Sequence, residues 1–400
     1  MNLSWHCPTL TLFGADGIAG WLDARPEARH VTVLVDAAVA DTPIVSRVRT
    51  SVEGPDRDVR VLALDGPGDA ESVLALADRL HGSDLVVAVG GGALLDQAKL
   101  AALVRDNPAA RRRLILPQRS GLVLLPPEIH CGLPVIAVPT TVGTGAELSA
   151  AACLVFPQGR RLILGESLRP EVAVLDPLAT ATLPDELIAE GVLEALFRVV
   201  SLYAGDHRDM PTEDALAETL ATRLARLGHE LRDVRLGGGR SDDRIRLEIA
   251  KVSGLTHLGW TYIGRDRYGA KGWYLANELS TALGVRKMTA VAALLEPLWR
   301  AIADGDQRLG SARRLSRMWA LLRATDPDAL PESPAAGIGA LTDAWLVGRR
   351  ISADAARLDT VTARTVRAWG AGLPMLGGLR AADVRGLLDG AVLDAEPALR

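Results

Sequence analysis

Three consecutive glycines, Gly90-Gly91-Gly92, end an apolar run and lead straight into Ala93-Leu94-Leu95-Asp96-Gln97-Ala98-Lys99. A strand that stops in glycine and turns at once into a helix lets a phosphate approach the bare backbone. The helix N-terminus adds aligned N–H donors and a positive dipole. The same pattern also serves as a tight turn with no ligand. A second loop, Pro139-Thr140-Thr141-Val142-Gly143-Thr144-Gly145-Ala146-Glu147, gathers three hydroxyls and two glycines. Small hydrogen-bonding groups suit a ribose, phosphate or carboxamide at the carboxyl end of a sheet. Thr144 and Glu147 also have the spacing of a helix-capping box.

Elements that would position these loops are legible around them. Val31–Val35, Val61–Leu64, Leu85–Val89 and Pro134–Val138 read as buried strands, and Asp69–Leu80 as an amphipathic helix. Continuous apolar strands separated by helices indicate a parallel sheet covered on both faces. After Asp176-Pro177 the strand-like runs largely vanish and Ala/Leu/Arg-rich helical periodicity takes over. The expectation is an α/β dinucleotide-binding domain over residues 1–178, followed by an all-α substrate domain over 179–400. Gly237–Gly239 and Pro331–Gly339 read as loops between helices.

Composition narrows the classes. At 400 residues, two cores are expected. Aromatics supply 4% of the chain, so Leu, Val and Ala must build most of the interior. A formal net charge of −4 argues against a nucleic-acid partner, and Arg111–Arg113 read as a short solvated loop. No run approaches the ~20 apolar residues of a membrane span, and Met1–His6 lacks the basic-then-apolar order of a signal peptide. Cys7, Cys131 and Cys153 share no metal-like spacing, so a reducing cytoplasm is expected.

The paired motifs, Gly-Gly-Gly-x-x-x-Asp-x-Ala-Lys and Pro-Thr-Thr-x-Gly-Thr-Gly-x-Glu, resemble the signature of the iron-containing alcohol dehydrogenases, whose fold is shared with dehydroquinate synthase and glycerol dehydrogenase. The likeness continues through Pro170–Pro177, Thr182–Pro184, Gly372–Pro374 and the helix Ala381–Ala391. Carried over by position, it implies that Asp36 receives the adenosine ribose hydroxyls. A carboxylate there repels a 2′-phosphate and favours NAD over NADP, although Asp36 also reads as an ordinary strand-end turn residue. The resemblance further implies that Gly90, Gly91 and Gly92 hold the pyrophosphate, with Asp96 and Lys99 completing the motif. It places Thr140, Thr141 and Thr144 along the nicotinamide end, and it implies a homodimer.

The family's metal ligands are absent from the matching positions. Glu194 stands where an Asp is expected and Arg198 where a His is expected. Trp273–Leu279, including Asn277, covers the later histidine stretch, after an insertion near Tyr262–Lys271. Lys287-Met288 takes the last ligand position. Arginine offers no lone pair, and His257 with one Glu makes a poor divalent site, so no metal is expected. Glu194 and Arg198, four apart on a helix, are spaced for a salt bridge that would aim the guanidinium at a carboxylate or oxyanion. Proton-carrier candidates are His257, Tyr262, Tyr274, Lys271 and Lys287, and the residues leave the choice among them open.

These features lead to a metal-independent, NAD-dependent dehydrogenase of a secondary alcohol. The resemblance to metal-ligand-lacking members of peptide-tailoring (daptide) pathways extends this to the β-hydroxyl of a C-terminal threonine, followed by decarboxylation of the β-keto acid. Three alternatives stand beside it: a small-molecule reductase of the maleylacetate type, a non-redox lyase that uses NAD transiently, and a non-catalytic pathway partner that retains the fold.

Overall fold

The structure is a computed structural model that describes residues 7–117, 119–157 and 159–394. The elements run β1 (Leu10–Phe13), α1 (Gly17–Asp23), β2 (His30–Asp36), α2 (Pro43–Val52), β3 (Asp58–Leu64), α3 (Ala70–Arg79), β4 (Leu85–Gly90), α4 (Gly92–Arg105) and α5 (Pro108–Ile115). Then come β5 (Leu122–Leu124), β6 (Val135–Pro139), β7 (Ala151–Phe156), β8 (Gly159–Leu164) and β9 (Val172–Leu175). The helices α6 (Asp185–Gly205), α7 (Pro211–Leu236), α8 (Asp243–Leu255), α9 (Gly272–Leu283), α10 (Lys287–Ala303), α11 (Ala312–Arg323) and α12 (Pro334–Ala344) follow. The chain closes with β10 (Ser352–Ala353), α13 (Ala355–Trp369), α14 (Ala381–Asp389) and β11 (Leu393–Asp394).

Two compact units divide these elements. Among the described residues, one takes 7–188 together with Asp242–Leu258; the other takes Ala189–Ser241 and 259–394. The change of unit thus falls after Ile188 rather than near residue 178, and α8 groups with the α/β unit. Nothing in the helical periodicity of α8 distinguishes it from its neighbours in sequence, so pattern alone assigned it to the second domain.

In the α/β unit, six strands form an all-parallel sheet in the order β1-β9-β6-β4-β2-β3. Both faces are covered, which explains why the central strands read as unbroken apolar runs. Val33, Val35, Val87 and Ile136 pack with Ile18, Leu22 and Val48 from one side. Leu34, Val86, Ala88 and Ala137 pack with Val73, Leu95 and Ala98 from the other. At the sheet edge, β3 starts three residues earlier than its apolar part suggested, because an edge strand tolerates Asp58 and Arg60. A second sheet, β5-β8-β7, contains an antiparallel β7–β8 pair that the apolar pattern did not announce.

Two loop expectations become helix. Arg111–Arg113 lie within α5, which Asn107 caps by accepting from the Ala110 N–H at 3.0 Å. Arg111 pairs there with Asp78 at 2.9 Å, so the basic run is a helix face rather than a solvated loop. The Pro331–Gly339 stretch enters α12 at Pro334, since proline suits a first helical turn. Gly337 is required inside α12 because a Cβ there would lie 1.9 Å from the Trp319 ring. The Asp69–Leu80 helix appears as α3, with Asp69 accepting from the Ser72 N–H at 2.8 Å. Gly237–Gly239 form the turn after α7.

Among the described residues, no helix is long and apolar enough to cross a membrane.

Candidate functional site

In a parallel sheet all carboxyl ends face one edge, and ligands settle where the strand order reverses. Here β2 is followed by its outer neighbour β3, after which the chain returns to β4 on the opposite side. The reversal therefore lies between β2 and β4, and Asp36 ends the first while Gly90 ends the second. Gly90 pairs with Pro139 at the tip of β6, so the Thr140–Glu147 loop leaves from the same edge.

Close packing fixes the glycines. Gly91 is the N-cap of α4, and a Cβ on it would meet Thr141 Cγ2 at 3.2 Å. A Cβ on Gly92 would meet Thr144 Cγ2 at 2.9 Å, and one on Gly90 would meet Leu94 at 2.9 Å. The two loops are thus pressed together over bare backbone, and the N–H groups of the first turn of α4 open beside them. The Thr140 N–H donates to the Gly90 carbonyl at 3.0 Å. Thr141 Oγ1 is buried without a hydrogen-bond partner among the described residues. A buried hydroxyl left without a partner is costly. Its position beside Gly91 suits a polar ligand, and the residues present fit a dinucleotide.

Asp96 and Lys99, carried over as part of the cofactor motif, are bonded within the α/β unit. Asp96 Oδ1 lies 3.0 Å from Lys99 Nζ, and Oδ2 accepts from the Cys153 N–H at 2.8 Å. Lys99 donates to the Ala146 and Ala151 carbonyls at 2.9 and 2.5 Å. The pair clamps the far end of the threonine loop to α4 and β7, so its contribution is to hold the loop. The capping-box alternative for Thr144 and Glu147 is not realised, since no helix begins there. Thr144 Oγ1 instead accepts from the Ala146 N–H at 3.5 Å within a turn.

Asp36 accepts from the Ala38 N–H at 3.0 Å, capping a 3-10 turn, which leaves its second carboxylate oxygen at the sheet edge. His257 was not separable by spacing from the helical-domain candidates, yet it lies in the α/β unit. Its ring sits against Gly145, where an added Cβ would come within 1.9 Å of Nε2. Gly145 holds φ +59°, so both backbone and space demand glycine.

The helical unit gathers the replaced ligand positions. Glu194 of α6 lies 3.8 Å from Arg198 Nη2 and 3.4 Å from Lys287 Nζ, at the start of α10. Arg198 does not point into solvent: its side chain is 14% exposed. The i,i+4 pair is looser than spacing alone implied, because Glu194 is shared with a lysine 93 positions away in sequence. Lys287 also stands 4.4 Å from the centre of the Trp273 ring, which packs on Phe197. Arg286 and Glu190 form a second acid–base rung at 2.8 Å. Asn277 donates to Glu278 at 3.3 Å, and Glu278 also accepts from Trp369 and Arg364. Tyr274 stacks on Trp369, and burial pushes its phenol well above the usual range, which makes it a poor base.

These donors do not fit a divalent ion. A guanidinium and an ammonium occupy the ligand positions, and neither offers a lone pair while protonated. Among the described residues, no group of three or more His, Cys, Asp or Glu could hold a metal.

Residues 8–177 match the family model of the iron-containing alcohol dehydrogenases. The NADPH-dependent aldehyde reductase YqhD of Escherichia coli (strain K12) is 27% identical over 347 residues, which span 84% of each chain. Long-chain-alcohol dehydrogenase 1 of Geobacillus thermodenitrificans is 30% identical over 265 residues, 65% of this chain and 64% of that one. The solved structure of NADH-dependent butanol dehydrogenase A from Thermotoga maritima shares the fold. It has a TM-score of 0.81 at 18% identity and covers 98% of this chain and 99% of that one. The glycine cradle and the threonine loop both lie within residues 8–177, the stretch that is similar to the iron-containing alcohol dehydrogenases.

Proposed function

We propose that the chain is an NAD-dependent oxidoreductase that interconverts an alcohol and its carbonyl form without a metal ion, on a substrate that carries a carboxylate. The relatives named above are aldehyde reductases and alcohol dehydrogenases, which supports the oxidoreductase class. The observation that carries the finer reading is the Glu194–Arg198–Lys287 cluster, where one carboxylate faces two cations. Its net positive charge suits an anionic group, and a guanidinium can hold a carboxylate through two parallel hydrogen bonds.

NAD, when bound, supplies the hydride acceptor. The backbone of Gly91 and Gly92 and the Thr141 hydroxyl would hold it, and Asp36 would favour the form without a 2′-phosphate. Arg198 binds the substrate carboxylate or the developing oxyanion. Glu194 orients Arg198 and Lys287, and the Lys287 Nζ lies beside the Trp273 face. A C-terminal threonine joins a secondary alcohol to a carboxylate, and its oxidation would give a β-keto acid that loses carbon dioxide readily. The protein is proposed to act as a homodimer in the cytoplasm.

The test is a substrate panel with NAD: simple alcohols, hydroxy acids of matched length, and a peptide ending in threonine. NADH formation confined to carboxylate-bearing substrates supports the reading. Equal turnover of simple alcohols contradicts the proposed carboxylate recognition, and no NADH with any alcohol contradicts the dehydrogenase.

A further inference from the structure

Only four of the 45 lysine and arginine residues are lysines: Lys99, Lys251, Lys271 and Lys287. Three of them have carboxylate partners: Lys99 with Asp96 at 3.0 Å, Lys251 with Glu248 at 3.0 Å, and Lys287 with Glu194 at 3.4 Å. Lys271 differs. The residue is 6% exposed, and among the described residues no hydrogen-bond or ion-pair partner reaches its ammonium.

Geometry explains how so polar a group is held there. Lys271 precedes α9, and its Cε rests on the α-carbon of Gly377, where an added Cβ would lie 2.5 Å from Cε and 3.3 Å from Nζ. Gly377 sits at φ +57° just after a short 3-10 turn, Pro374–Leu376. The absence of a side chain at Gly377 is what gives the lysine its slot. The charges that favour its protonated form are Asp266 and Asp306. Asp306 is already bound by Arg308 at 2.7 Å, and Asp266 accepts from the Tyr268 N–H at 2.9 Å. Burial outweighs both and brings the amine below the ordinary lysine range.

In a chain that uses arginine almost everywhere, lysine at a buried, unpartnered position has one chemical distinction. Arginine cannot give up its proton at accessible pH, whereas a desolvated lysine can, and its neutral amine is a nucleophile. A buried ammonium without a partner also destabilises the fold, so the position is better explained by reactivity than by stability.

We propose that Lys271 is a carbonyl-capturing residue of the helical unit, condensing with a small aldehyde or ketone to form an imine. The Nζ lone pair adds to the carbonyl carbon, and the carbonyl π electrons move to oxygen, which takes a proton. The resulting carbinolamine loses its hydroxyl as water together with the remaining N–H proton, leaving C=N. One carbonyl compound and one amine become one imine and one water, with no oxidant or reductant consumed. The inference does not depend on the oxidoreductase reading, because capture needs no dinucleotide.

The experiment is reductive trapping of the full chain with propionaldehyde and cyanoborohydride at neutral pH, followed by peptide mapping of the four lysines. Lys271 is expected to be alkylated faster than Lys251, because burial raises the share of its amine that is free. Lys271→Arg should lose that adduct while keeping the circular dichroism of the parent. Lys271→Met should also lose it and melt at a higher temperature, since a buried unpaired charge is removed. The chain unfolded in urea, in which all four lysines are open to the reagent, gives the reference rates. Labelling of Lys251 or Lys287 as fast as Lys271 overturns the proposal. So does a folded chain that leaves Lys271 unlabelled while the unfolded chain labels it.

Discussion

The glycine-rich edge of the α/β unit and the charged cluster of the helical unit were built in opposite ways. At the sheet edge, the proposed recognition rests on what is missing among the described residues: side chains at Gly90, Gly91 and Gly92, and a hydrogen-bond partner for Thr141. Such a surface reads the backbone-scale features of a dinucleotide and leaves little room for substitution. In the helical unit, the proposed recognition rests on what is present. Glu194, Arg198 and Lys287 stand on two helices, with Glu194 ion-paired to each of the two cations. Side chains of that kind can be replaced without disturbing the helices that carry them.

The comparison can be broken from either side. Arg198→Met should lower kcat/KM for a carboxylate-bearing substrate by about 100- to 1,000-fold, the range for removing a donor aimed at developing charge. NAD affinity should be unchanged. If steady-state kinetics show the reverse split, the two regions have been assigned the wrong roles. Gly92→Val places a Cβ 2.9 Å from Thr144 and should weaken NAD binding about 100-fold, or ~2.7 kcal/mol, in a calorimetric titration. Thermal unfolding of the same variant checks that the loss is not global.

Smaller effects sharpen the picture. Asp36→Gly should cost NAD about tenfold in affinity and improve NADP, because the ribose acceptor and its repulsion of a 2′-phosphate vanish together. An unaltered NAD/NADP ratio would mean that the carboxylate serves only its 3-10 turn. Thr141→Val should weaken NAD about fivefold, or ~1 kcal/mol. Without cofactor its melting temperature should hold or rise, since a buried hydroxyl with no partner is removed. A lower melting temperature with unchanged NAD affinity would place that hydroxyl in the packing.

Much of the α/β unit was legible because its central strands, buried on both faces, read as plain apolar runs, and because glycine and threonine announce their loops. The short edge strand β1 and the strand β9 were not read as strands; four residues give too little pattern. The antiparallel β7–β8 pair, Ala-Ala-Cys-Leu-Val-Phe against Gly-Arg-Arg-Leu-Ile-Leu, was not read, although the turn residues Pro157 and Gly159 stand where the two runs meet. Within the site, Glu194 and Arg198 were visible as an i,i+4 pair. That Lys287 also reaches Glu194 depends on the packing of α6 against the start of α10, which no local spacing encodes. Asp96 and Lys99 show the converse, since their motif position named them before their hydrogen bonds revealed a loop clamp.

The most direct test is metal analysis of the purified protein combined with turnover before and after exhaustive chelation, using NAD and a carboxylate-bearing alcohol. The account predicts well under one equivalent of bound metal per chain and NADH formation that chelator leaves unchanged. One equivalent of metal, with activity lost on chelation and restored by a divalent ion, would contradict it.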